Sequence, residues 1–199
     1  MQQTYLTRLC SDVQDFVLAI EAAAGVDVEV VEDATLNAAG PFGLGQLKVD
    51  IEAQRVHLLI PENGYFPDGA VRHELLHVHR LHLEQVPRLA LADHVDWNPR
   101  LEAGLVTVDN ALEHLVIVPQ ELNHHPERRA HWEAVMTRVW TVDIPQASSE
   151  LDRRIAACLH WTLNACSRAL PPLTLRCLGW APKAGGLKQS AFLRRFGVA

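Results

Sequence analysis

Apolar residues recur at helical spacing over positions 4 to 24, where Leu6, Leu9, Val13, Phe16, Val17 and Ile20 share one face before Gly25 ends the run. Residues 26–31 then alternate apolar and acidic side chains, the pattern of a half-buried strand. Positions 37–45, containing Gly40-Pro-Phe-Gly-Leu-Gly45, read as a connecting loop. They are followed by no G-K-[ST] and fed directly by no strand, so they fit neither a phosphate loop nor a dinucleotide fingerprint. Residues 47–51 and 55–60 read as two strands joined by a short turn near Glu52-Ala53, and Pro61-Glu-Asn-Gly64 closes the second.

A helix is expected over 68–86, opening at Pro67 or Asp68, since Ala70 to Leu83 holds neither proline nor glycine. Beyond Pro87 the chain reads as irregular through Trp97-Asn98-Pro99. A helix over 106–118 is expected to stop before Pro119, and another to run over 126–140 with proline in its first turn. Ser149-x-x-Asp152 is a capping box for a helix to about 170, which Pro171-Pro172 halts. The order predicts an α+β fold with a small mixed sheet of about three strands and a helical C-terminal half. All 199 residues are read as a single domain, with 1–120 carrying the sheet and 121–199 a helical extension.

Composition narrows the function classes. A net charge of -6 gives no reason to expect nucleic-acid binding, and the basic cluster Lys183, Lys188, Arg194 and Arg195 reads as a solvated tail. Met1 to Leu18 lacks the pattern of a signal peptide, and no apolar run reaches the length of a membrane span. Cys10, Cys158, Cys166 and Cys177 show no C-x-x-C spacing and read as reduced structural thiols, which predicts a cytoplasmic protein.

Chemistry concentrates in His73-Glu74-Leu75-Leu76-His77, an H-E-x-x-H box. On a helix the two histidines lie one turn apart and can converge on one cation, with Glu74 beside its open side. With 11 histidines in the chain such a box can arise by chance, so its surroundings decide. Val71, Leu75 and Val78 form an apolar stripe, Ala70, His73, Glu74, His77 and Leu81 form a second beside it, and Arg72, His79 and Arg80 are expected to face water. Two imidazoles and a carboxylate therefore share a sector bordering the core, which points to a metal site.

The box, its uncharged flanks and the preceding strand resemble the zincin-like metallopeptidases over roughly residues 1–120. His79 departs from the family's usual apolar residue, and residues 126–199 match no known pattern. The resemblance implies one zinc ion per chain, Glu74 as general base and a peptide or protein substrate bound along an edge strand, either 47–51 or 55–60. Small cytosolic bacterial and phage stress-response peptidases share this design. The metzincin branch is excluded, because its glycine and third histidine would fall on Arg80 and Leu83, with His82 one residue out of register.

The gluzincin branch takes a glutamate from a later helix, which makes Glu84, Glu102, Glu113 and Glu121 candidates. Glu84 sits on the box helix itself, Glu102 suits a helix first turn, and Glu121 reads as a loop carboxylate after Pro119. Glu113, between Val106, Val116 and Ile117 with Asn110 one turn earlier, is the preferred ligand beside His73 and His77. His114 competes for that place, and if Glu113 ligates, His114 is a catalytic candidate as oxyanion donor. His124, His125 and His131 read as surface residues near a helix start. A gluzincin-type zinc hydrolase is thus the expected function; a binding protein on the same scaffold, or a hydrolase of a non-peptide substrate, is the alternative.

Overall fold

A computed structural model describes residues 1–36, 46–52, 54–89 and 99–147, with positions 153, 156 and 157. The capping box at Ser149, the helix to 170, Cys158, Cys166, Cys177 and the basic tail lie outside the described residues. The amino-terminal helical pattern is two helices, α1 (Gln3–Leu6) and α2 (Ser11–Ala24). Gly25 caps α2 in the left-handed conformation, φ 65°, where a side chain would be strained, and its N–H reaches the Glu21 carbonyl.

Three strands follow: β1 (Asp27–Glu32), β2 (Lys48–Ile51) and β3 (Arg55–Ile60). They form one mixed sheet in the order β1-β3-β2. β1 runs parallel to β3 with Val28 opposite Val56, and β2 runs antiparallel to it with Val49 opposite Leu58. β3 is therefore central and β2 is an edge, an ordering that alternation of side chains does not encode.

The box helix α3 (Asp68–His82) lies on this sheet through Val71, Leu75 and Val78, all fully buried. α2 packs beside it, and Val13, Val17 and Ile20 join Val28, Val56, Leu58 and Ile60 in one continuous core. Burying each such side chain is worth about 1.5–3 kcal/mol, which fixes the rotation of α3 about its axis. The same packing corrects one expectation: Arg72 does not face water. It is buried under α2, its guanidinium 4.7 Å over the Phe16 ring and paired with Asp12 at 2.6 Å.

α4 (Pro99–His124) starts earlier than expected and does not stop at Pro119. Proline removes one helical hydrogen bond there, and the buried neighbours Ile117, Val118 and Leu122 carry the helix through. A 3₁₀ turn (Pro126–Arg128), α5 (Arg129–Arg138) and a π turn (Val139–Asp143) follow. Val118, Leu122, Trp132 and Met136 form a second apolar cluster against α4. No described helix is long and apolar enough to cross a membrane.

Candidate metal centre

Helical spacing stacks His73 and His77 on α3, and α4 crosses them so that His114 meets both. The ring centroids are 5.2 Å apart for His73–His77, 4.9 Å for His73–His114 and 5.4 Å for His77–His114. Nε2 of His73 lies 3.1 Å from Nε2 of His114, and one nitrogen from each of the three rings falls within 4.8 Å of the others. Three imidazoles bound tetrahedrally at about 2.0–2.1 Å would place their nitrogens about 3.4 Å and their centroids about 5 Å apart. The ring spacings and the 3.1 Å nitrogen pair are close to those dimensions, so the three imidazoles could hold a metal ion.

The other nitrogens bear on the same question. Nδ1 of His73 donates to Glu121 Oε2 at 2.9 Å, and Nδ1 of His77 donates to Glu113 Oε2 at 2.5 Å. Burial acts to raise both carboxyls, but the histidine hydrogen bonds and nearby charges outweigh it and hold both below the ordinary value. The standing charges that oppose burial are Arg128 for Glu121, and Arg88 and Arg80 for Glu113. An ionised carboxylate only accepts hydrogen bonds, so each Nδ1 carries a proton, and in the neutral ring Nε2 is then the nitrogen with a lone pair to offer a metal. Burial lowers the His73 pKa, against the pull of Glu121, so that ring is neutral at pH 7.

Each carboxylate is itself anchored. Glu121, fully buried, accepts from Arg128 Nε at 2.7 Å and from Trp132 Nε1 at 2.8 Å. Arg88 reaches Glu113 at 3.2 Å and Asp109 at 3.0 Å. The Trp132 ring lies 5.2 Å from His73 and 5.5 Å from His114, closing one side of the cluster.

Glu74 projects from α3 between this cluster and the sheet, partly accessible to solvent. Desolvation pushes its carboxyl up to about 8, although the Val49 backbone N–H donates to it and works the other way. That donor lies on the outer edge of β2. The Glu52 N–H bonds the Arg55 carbonyl at 2.8 Å, so antiparallel alternation makes Asp50–His57 and Lys48–Leu59 the bonded pairs. The backbone groups of Val49 and Ile51 therefore point away from the sheet. Among the described residues no strand pairs with that edge.

Of the residues singled out from sequence, His73, Glu74, His77, His114 and Glu113 converge here. The arrangement differs from the expected one: Glu113 meets the outer nitrogen of His77, and His114 supplies the third inward nitrogen. Glu113 is buried as expected, but Val106 and Val116 beside it are exposed and Asn110 faces water, so neither its flanks nor Asn110 make its pocket. Glu121 is not a loop carboxylate; it is the partner of His73. His125 is buried and His131 half-buried, contrary to a surface reading, while His124 is exposed. Burial, with the charge of Arg128, drives the His131 pKa down to about 4.

Glu84 pairs with Arg80 and His79, away from the cluster, and Glu102 stands exposed in the first turn of α4. Sequence reasoning did not single out Arg128 or Trp132. A signal for Glu121 does exist: Glu113, Ile117 and Glu121 are spaced by four, one stripe of a helix that continues through Pro119. Comparison with protein-family models, characterised proteins and solved structures yields no match to this chain.

Proposed function

We propose that this protein is a zincin-like zinc hydrolase, most simply a metallopeptidase, whose metal is held by His73, His77 and His114. The observation that carries the reading is the pair of anionic carboxylates, Glu121 and Glu113, that turn the Nε2 atoms of His73 and His77 towards His114. A solvated histidine run has no need of two buried, charged orienting groups, whose desolvation is costly without such partners. The three-imidazole set departs from the gluzincin pattern, and Glu113 becomes an orienting residue in place of a ligand.

When bound, zinc would supply Lewis-acid polarisation of the scissile carbonyl and acidify the attacking water. Glu74 takes the proton from that water on its carboxylate and returns it to the leaving amine. With its carboxyl raised to about 8, the ionised form that accepts the proton grows as the pH rises through that value, and the protonated form is the one that returns it. The outward backbone groups of Ile51 and the Val49 carbonyl can pair with an extended peptide, which would lie along β2 beside Glu74. Trp132 and the buried Glu121 keep water off the far side of His73.

Hydrolysis of a quenched-fluorescent peptide library by the zinc-loaded protein tests this. Activity should be removed by a chelator and restored by zinc, and Glu74→Gln should retain zinc while losing cleavage. Cleavage that survives both treatments would exclude the mechanism.

A further inference from the structure

Gly69 occupies the first turn of α3 and is buried, at a position where alanine is ordinarily the better helix former. A Cβ built there would lie 2.6 Å from Arg128 Cγ, 3.0 Å from Arg128 Cδ and 3.1 Å from His125 Cβ. The space that a side chain would take is filled by the stem of Arg128. That stem cannot simply swing aside, because its far end is fixed. Arg128 Nε donates to Glu121 Oε1 at 2.7 Å and its NH1 reaches the Tyr65 hydroxyl at 3.3 Å. Glu121 in turn holds Nδ1 of His73 at 2.9 Å.

We propose that Gly69 and Arg128 are a positioning pair for the metal centre. The bare backbone at Gly69 lets the Arg128 stem cross the start of the box helix, and Arg128 fixes Glu121, which aims His73 Nε2 at a divalent metal. The inference rests on the metal-site reading above and adds to it a role for residues 121–132. Through Glu121, Arg128 and Trp132 they form the back wall of the centre, joined to the box helix by a residue four positions before its first histidine.

Coupling between the two positions is what separates this from a general packing role. Cobalt(II) affinity and the visible spectrum of the cobalt protein are measured for wild type, Gly69→Ala, Arg128→Ala and the double variant. Loss of an outer partner of a ligating histidine weakens metal binding about 10- to 100-fold. Arg128→Ala should show that loss, and Gly69→Ala should show a similar one with an altered spectrum. The double variant should bind cobalt as Arg128→Ala does, because the 2.6 Å clash with the stem is gone and the remaining 3.1 Å approach to His125 Cβ needs a shift of only a few tenths of an ångström, and its Tm should be close to that of Arg128→Ala.

Independent, additive losses would overturn the pairing, as would a folded Gly69→Ala protein with wild-type affinity. Should Gly69→Ala fail to fold, the double variant decides alone: folded and equal to Arg128→Ala supports the pairing, unfolded or weaker refutes it. A wild-type protein that takes up neither cobalt nor zinc would instead remove the metal reading itself.

Discussion

The two edges of the small sheet are treated in opposite ways. On the β1 edge three outward backbone groups, of Val28 and Val30, are taken by side chains. The Gln2 amide both donates to the Val30 carbonyl at 3.1 Å and accepts from its N–H at 2.9 Å, and Glu21 accepts from the Val28 N–H at 3.0 Å while also pairing with the terminal ammonium of Met1. Such capping blocks the pairing of another strand. On the β2 edge, among the described residues, a single group is engaged: the Val49 N–H, by Glu74. One edge is sealed by residues with no chemistry to perform; the other carries the residue best suited to proton transfer. On the proposed reading, the contrast would let a three-stranded sheet keep one edge available for a substrate without inviting strand pairing on both sides.

The largest test of that contrast removes the chemistry from the β2 edge alone. Glu74→Gln should lower kcat about 10²- to 10⁴-fold, with zinc content and Tm close to wild type. The matching change on the sealed edge, Gln2→Ala, should leave kcat unaltered, and equal losses from both would dissolve the distinction.

Acid should separate the two sides next. Unfolded His131 accepts a proton near pH 6.5, whereas in the folded chain it does so only near 4. Its contribution is therefore complete above pH 6.5 and is lost as the pH falls towards 4, by at most about 3 kcal/mol. Hydrogen exchange should show α5 losing protection over that range before β1 does, and His131→Asn should flatten the slope. Loss that begins at β1 would count against this assignment.

A proline at position 49 deletes only the outward N–H, since edge strands tolerate proline where that group does not join the sheet. Val49→Pro should stay folded and lose part of the activity, because Glu74 loses the backbone donor that steadies it. Smallest is the stability effect of Gln2→Ala, about 1–2 kcal/mol for two neutral hydrogen bonds. Its more telling readout is sedimentation: uncapping Val30 should promote self-association, and a strictly unchanged sedimentation profile would show that Gln2 does not guard the edge.

Local patterns made the strands, Gly25 and the box helix legible, because each depends on a period of two or of 3.6 and on the burial of Val71, Leu75 and Val78. The α+β class followed from their order. Sheet order was not legible, since β2 and β3 carry similar apolar residues and nothing local tells an edge from a centre. Pro119 signals a helix stop locally, while the packing of Ile117, Val118 and Leu122 that overrides it is tertiary. Glu121, beyond that proline, is hidden from the sequence for the same reason. Arg72 is polar and locally fits a solvated face, but its partners Phe16 and Asp12 lie some sixty residues away in sequence. The box itself was visible; the two carboxylates that orient it became visible only where α4 crosses α3.

The central claim is that His73, His77 and His114 hold a metal on Glu113 and Glu121 supports. X-ray absorption at the zinc edge of the purified protein tests it most directly. The account predicts about one zinc per chain with three imidazole nitrogens at about 2.0–2.1 Å, and loss of one of those nitrogens in His114→Ala. Protein without zinc, or with a carboxylate oxygen in place of the third imidazole, would contradict it.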